Sequence, residues 1–140
     1  MEGNKKREHI FAICAYKESP YLEECILSLE KQTRKSSIIM VTSTPNKYIE
    51  ELSRKYEIPL FINHGEHGIT QDWNFAYQCA NARYVTIAHQ DDVYLPDYWQ
   101  KSYEYLRRAK RPLIVFGDYG ELRKDQPILN NRLLKMKRLM

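Results

Sequence analysis

The sequence predicts an α/β protein built on a doubly wound, mostly parallel sheet with helices on both faces. Three observations carry that expectation. Compact apolar runs of strand length alternate with segments whose apolar residues recur at helical spacing. The strand-like runs are apolar throughout rather than at every second position, the pattern of strands buried on both faces. Serine, proline, asparagine and glycine punctuate the joins, with no internal repeat, low-complexity stretch or interdomain linker.

Ile10-Phe11-Ala12-Ile13-Cys14-Ala15 reads as the first buried strand. Ser19-Pro20 then opens a helix, with Ser19 as cap and Pro20 at the first position, where a missing N–H costs nothing. Its Leu22, Cys25, Ile26 and Leu29 recur at helical spacing and face the sheet. Residues 38–41 form a second strand, and Thr44-Pro45-Asn46 begins a helix to about Tyr56 that turns Ile49 and Leu52 inward. Residues 59–62 make a short third strand. Gly65 and Gly68 bracket a loop before a third helix, which runs from Ile69 to about Ala82. Tyr84-Val85-Thr86-Ile87-Ala88 is a fourth strand, a polar loop follows, and Pro96 opens a helix to about Ala109. Leu113-Ile114-Val115-Phe116 reads as a fifth strand.

A chain of 140 residues is long enough for one domain with a real core. No run approaches the ~20 apolar residues of a membrane span. The charged segment Met1-Glu2-Gly3-Asn4-Lys5-Lys6-Arg7 leads into no signal-peptide apolar stretch. Cys14, Cys25 and Cys79 form no CxxC pair and no metal-ligand spacing, and their apolar neighbours suggest reduced core thiols in a cytoplasmic protein. The net charge of +4 is uneven: residues 1–120 hold 16 basic and 16 acidic groups, residues 121–140 six basic and two acidic. The balanced body has no basic stripe interleaved with aromatics, so no nucleic-acid partner is expected.

The most informative segment is His89-Gln90-Asp91-Asp92-Val93-Tyr94-Leu95-Pro96-Asp97-Tyr98. It puts two adjacent carboxylates at the carboxyl end of a buried strand, where open parallel sheets bind ligands. The pair repels itself unless a cation sits between it and an anionic ligand, which points to Mg²⁺ or Mn²⁺ with a diphosphate. The competing reading is that Asp91 or Asp92 merely caps the next helix. Other chemistries fare worse: the chain has no GxxxxGK[ST] loop, GxGxxG turn, GxSxG elbow or HExxH helix.

Three segments in register resemble the nucleotide-binding half of a family 2 glycosyltransferase with a GT-A fold. Cys14-Ala15-Tyr16-Lys17-Glu18-Ser19-Pro20-Tyr21-Leu22-Glu23-Glu24-Cys25, with Leu29 and Gln32-Thr33, is similar to the family's opening strand, AYNE turn and first helix. Gly68-Ile69-Thr70-Gln71-Asp72-Trp73-Asn74 resembles its glycine-led helix ending in Asn. Residues 84–92 with Pro96 resemble its strand and DXD-type loop. The likeness covers roughly residues 9–118. It implies an inverting transfer of a sugar from a nucleotide-diphosphate donor to an acceptor glycan or lipid-linked saccharide, assisted by Mn²⁺ or Mg²⁺. On this resemblance Asp91 holds the metal, with Asp92 as a water-mediated or supporting partner. Tyr16 stacks its ring on the donor's base, and Ala15, Glu18, Ser43, Gly68, Asp72 and Gln90 complete the donor site.

The chain departs from the family pattern at several positions. His89 stands where the DXD motif usually begins with Asp. Thr42-Ser43-Thr44-Pro45 replaces the acidic pair that recognises the base, leaving Ser43 as the better hydroxyl candidate. Trp73 occupies a position that often carries Arg and is expected in the core. Asp72 reads either as a crevice residue or as part of a solvated helix face, and His64 and His67 as solvated loop residues. Asp118 is a further candidate carboxylate at a strand end.

Residues 1–120 are thus expected to form the nucleotide-sugar-binding domain, and residues 121–140 a basic amphipathic tail. In that tail Leu129, Leu133, Met136 and Met140 share a helical face opposite Arg132, Lys135 and Arg138. The tail is expected to begin an acceptor-binding half that this sequence does not contain, and with it the general base. Peripheral contact with the inner face of a membrane through the tail stays open, as do a homodimer and a non-catalytic nucleotide-binding or regulatory role.

Overall fold

A four-stranded, all-parallel sheet carries the architecture of the computed structural model, which describes residues 7–110 and the backbone of 121–123 and 126–128. Its strands are β1 (Arg7–Ala15), β2 (Ser37–Thr42), β3 (Leu60–Ile62) and β4 (Ala82–His89), in the order β3-β2-β1-β4. β1 is central, with Ile13 opposite Met40 of β2 on one side and Ala88 of β4 on the other. Helices α1 (Leu22–Glu30), α2 (Lys47–Lys55) and α3 (Ile69–Ala80) connect the strands, and α4 (Tyr98–Arg108) follows β4. The parallel, doubly wound α/β arrangement is the one the apolar runs predict.

The order of the strands decides where the helices go. The β1-to-β2 and β2-to-β3 crossovers step one way, and the β3-to-β4 crossover steps back past both. Right-handed crossovers therefore put α1 and α2 on one face and α3 on the other. Ile10, Ala12, Ile39 and Val41 pack with Ala76 and Ala80 of α3, whose small side chains let the helix lie close. The alternate residues Phe11, Ile13 and Met40 are buried on the opposite face. Leu22, Cys25, Ile26 and Leu29 of α1 and Ile49 and Leu52 of α2 are buried as their spacing predicts. Each large side chain so buried contributes roughly 1.5–3 kcal/mol.

The chain divides into two compact units, residues 1–100 and 101–140. Within the second, β5 (Glu121–Arg123) and β6 (Gln126–Ile128) pair antiparallel. The sequence gives no hint of this pair, because three-residue strands show no periodicity and Pro127 argues against one. The expected strand at 113–116, Asp118 and the amphipathic helix at 129–140 lie outside the described residues. Among the described residues, no helix is long and apolar enough to cross a membrane.

Two expected helix starts need correction. α4 opens at Tyr98 rather than at Pro96. α1 opens at Leu22 rather than at Pro20, and Tyr21 precedes it without a side-chain cap. Ser19 Oγ accepts the Tyr21 N–H at 3.2 Å, but its own proton goes elsewhere. The second helix, by contrast, has a side-chain cap: Asn46 Oδ1 accepts the Ile49 N–H at 2.9 Å.

Candidate functional site

The winding reverses between β1 and β4, and open α/β sheets bind ligands outside the carboxyl ends of the strands at such a switch point. Two loops meet there, residues 16–21 after β1 and residues 90–97 after β4. Gln90 joins them. Its Oε1 accepts the Tyr16 N–H at 2.9 Å and its Nε2 donates to the Tyr16 carbonyl at 3.0 Å. The side-chain amide thus continues the β1–β4 ladder by one rung beyond the last backbone pair, Cys14 and His89.

The β1 loop is held in a sharp bend. Lys17 sits at φ 55°, in the left-handed region, where the resembled AYNE turn carries the more tolerant Asn. Thr44 and Asn46 fix it there: the Lys17 N–H donates to Thr44 Oγ1 at 2.7 Å, and Asn46 Nδ2 donates to the Lys17 carbonyl at 2.9 Å. The Tyr16 ring, half exposed, projects from this bend with the Lys17 ammonium 5.1 Å from its centroid. Beyond it, the buried Ser19 hydroxyl donates to Asp91 Oδ1 at 2.8 Å.

Asp91 and Asp92 are both exposed. Neither caps the next helix, which begins six residues beyond Asp92 at Tyr98, so the capping alternative fails. The Asp92 N–H closes a turn onto the His89 carbonyl at 3.0 Å. Partial burial of its carboxyl pushes Asp92 above the usual carboxylate range; His89 opposes the rise and Asp91 adds to it.

Buried polar groups hold the far limb of the acidic loop. Gln32, fully buried, donates to the Leu95 carbonyl at 2.7 Å and accepts the Trp99 N–H at 3.0 Å. The Thr33 N–H donates to the Pro96 carbonyl at 2.7 Å. Ser28 Oγ accepts the Tyr94 N–H at 3.0 Å, and the Tyr94 hydroxyl accepts the His89 N–H at 3.2 Å. The Gln32-Thr33 pair therefore acts as a clamp on the loop, a role its sequence position does not disclose.

The opposite wall is the first turn of α3. Gly68 adopts φ 142°, a backbone conformation that side chains resist, and starts the helix. Asp72, expected on a solvated face or in the crevice, is half-buried: Asn63 Nδ2 donates to its Oδ1 and Ser43 Oγ to its Oδ2, each at 3.3 Å. Trp73 is not in the core as expected but 42% exposed. Ala76 and Ala80 occupy the buried face of α3, which turns Trp73 toward the end of β4, where its ring lies 5.3 Å from that of His89. Ala15 is buried at the end of β1, while Glu18, His64 and His67 are exposed.

Burial pushes the Cys14 and Cys25 thiols up to about 12, with Asp72 adding at Cys14, and Asp92 and Asp91 adding at Cys25. All three cysteines are unbridged.

The profile of glycosyl transferase family 2 matches residues 10–135. The chain belongs to this family. It is 29% identical over 126 residues to an uncharacterized glycosyltransferase of Methanocaldococcus jannaschii, covering 84% of this chain and 43% of the relative. It is 26% identical over 116 residues to an uncharacterized glycosyltransferase of Haemophilus influenzae, covering 79% and 36%. The chain thus spans less than half the length of these curated relatives. The crystal structure of S. aureus TarS superposes with a TM-score of 0.59 at 17% identity, over 71% of this chain and 19% of that one. That likeness bears out the GT-A fold expected from the sequence.

Family 2 glycosyltransferases generally use divalent metals. The donors here suit one: Asp91 and Asp92 offer hard oxygens, and Mg²⁺ or Mn²⁺ is commonly held by one or two carboxylates plus substrate phosphates and water. Among the described residues, no cluster of three or more His, Cys, Asp or Glu side chains is arranged around a cation.

Proposed function

We propose that this family 2 glycosyltransferase chain binds a nucleotide-diphosphate sugar across the ends of β1 and β4, with Mg²⁺ or Mn²⁺ at Asp91, as the donor half of a sugar transfer to an acceptor saccharide. The single observation that carries this reading is the Gln90–Tyr16 bridge. It locks an exposed aromatic ring and an exposed carboxylate pair to the same edge of the sheet.

Each residue has a task in this reading. Tyr16 offers a face on which a base can stack, worth about 1–3 kcal/mol in comparable contacts. Ser19 holds one oxygen of Asp91, orienting the carboxylate toward the crevice. Asp91 ligates the ion, and Asp92 binds it through water or balances its charge. Gly68 lets α3 begin close to the ligand, and Ala15 and Glu18 frame the β1 side. A divalent cation bound there would offset the negative charge that grows on the departing diphosphate.

The test is thermal melting of the 140-residue chain with a panel of nucleoside diphosphates, with and without Mn²⁺. Stabilisation is expected only when both are present, reaching about 2.7 kcal/mol at a hundredfold excess over Kd. Asp91→Asn should abolish it. Equal stabilisation without metal, or in the Asp91→Asn variant, would overturn the reading.

A further inference from the structure

We infer that Asp72 is the specificity-determining group for the nucleoside end of the donor, accepting a hydrogen bond from a ring N–H of the base or from a ribose hydroxyl. This rests on the donor-binding reading above and deepens it.

The fold brings Asp72 to the end of β2. Residues 42–45 carry no carboxylate, so the end of β2 is acid-free in sequence. In space it is not: Asp72, 29 residues beyond Ser43, reaches back from the first turn of α3 to the Ser43 hydroxyl. Ser43 precedes Thr44, which holds the Lys17 N–H and thereby the bend that carries Tyr16. The neighbour of Asp72, Trp73, lies against His89 at the end of β4. Asp72 also lies close enough to Cys14, at the end of β1, to raise that thiol. The first turn of α3 therefore lines the crevice across three strand ends, with Asp72 on the β2 side and the Asp91–Asp92 pair on the β4 side.

Charge then sorts the ligand. A further carboxylate repels a diphosphate but can accept hydrogen bonds from neutral N–H and O–H donors. Nucleoside N–H and O–H groups are such donors. Asn63 and Ser43 each use one lone pair, one on each oxygen, and hold the carboxylate still while leaving acceptor capacity on both. A carboxylate fixed by two donors has already lost its rotamer freedom, which suits discrimination better than bulk attraction.

The experiment measures Kd by calorimetry for UDP, GDP and inorganic pyrophosphate, all with Mn²⁺, on the wild-type chain and Asp72→Asn. The variant keeps the shape of the side chain and can still donate to Ser43, but loses an acceptor. The expected result is a ten- to hundredfold weakening for at least one nucleoside diphosphate and under twofold change for pyrophosphate. Two analogues separate the sources. If N3-methyl-UDP erases the wild-type preference over the variant, the base N–H is the donor; if 2′-deoxy-UDP does so, it is the ribose. Equal weakening for nucleotide and pyrophosphate would make Asp72 a purely structural pin and overturn the inference. So would a difference that survives both analogues. Should Asp72→Asn fail to fold, Asp72→Glu takes its place: it keeps the charge but displaces the acceptor, so nucleotide affinity should fall while pyrophosphate affinity holds, and an unchanged ratio would overturn the inference. Absence of any Mn²⁺-dependent nucleotide binding by the wild type would instead sink the donor-binding reading itself.

Discussion

The side-chain amide of Gln90 makes both available hydrogen bonds to the backbone of Tyr16, one as acceptor at 2.9 Å and one as donor at 3.0 Å, across 74 residues of sequence. Only a primary amide does this. Aspartate and glutamate accept without donating, and lysine donates without accepting.

Gln90→Glu is therefore more damaging than its size suggests. It removes the donor to the Tyr16 carbonyl, points an anion at that oxygen and adds a third negative charge beside Asp91 and Asp92. Urea unfolding should show a loss of about 1–3 kcal/mol, with Gln90→Ala milder. A Gln90→Glu chain as stable as wild type would mean the bridge contributes nothing.

Ser19→Ala tests orientation rather than ligation. Asp91 keeps its charge but loses the donor that holds Oδ1. Removing such a supporting hydrogen bond typically costs about ten- to a hundredfold in metal affinity. Calorimetry with Mn²⁺ and a nucleoside diphosphate should show that loss, smaller than for Asp91→Asn. Unchanged affinity would indicate that Asp91 orients itself.

Gln32→Leu keeps the volume and deletes the clamp. The Leu95 carbonyl loses its donor and the Trp99 N–H its acceptor, in a fully buried setting. The expected cost is about 1–3 kcal/mol for each group, seen as a lower urea midpoint. Donor binding should weaken as well, because the far limb of the acidic loop is released. Normal stability in the variant would sink the clamp.

His9 gives the chain a pH-dependent stability with a definite sign. Its ring is buried, stacked 3.6 Å from Trp99, with Nδ1 at 2.7 Å from Ser36 Oγ and Nε2 at 2.7 Å from Thr86 Oγ1. Burial first, and Arg34 second, lower it from 6.5 to about 3. The unfolded chain therefore takes up a proton below about pH 6.5 that the folded chain refuses. Stability is full above that pH and falls between about 6.5 and 3, by up to about 1.4 kcal/mol per pH unit. Unfolding curves at pH 7 and pH 5 measure the slope. His9→Asn, which does not titrate, should flatten it, and an identical slope in the variant would refute the assignment.

The sequence disclosed what depends on near neighbours. Uniform apolar runs marked parallel strands, and Thr44-Pro45-Asn46 marked the start of a helix because such residues sit beside the turn they open. Asp91 and Asp92 stood out as adjacent charges after a buried run. Relations across the fold stayed hidden. Ser19 looked like a helix cap because its proline neighbour invites that reading, yet its proton goes to Asp91, 72 residues on. Trp73 looked like core because tryptophan usually is; the deciding residues were Ala76 and Ala80, which took the buried face of α3. Gln32 and Asp72 differ from ordinary polar residues only through partners dozens of positions away or in another element.

The strand order β3-β2-β1-β4 also dictates when the crevice can exist. The first three strands join neighbours in sequence and can zip together as they emerge from synthesis. β4 must wait for residues 82–89 before it adds to the far edge of β1, the slow, long-loop step that topology imposes on folding rates. A nascent chain halted before that point would hold three quarters of the strands and none of the acidic loop. The acidic loop and its Gln90 bridge to Tyr16 thus form in one late event, the completion of the sheet.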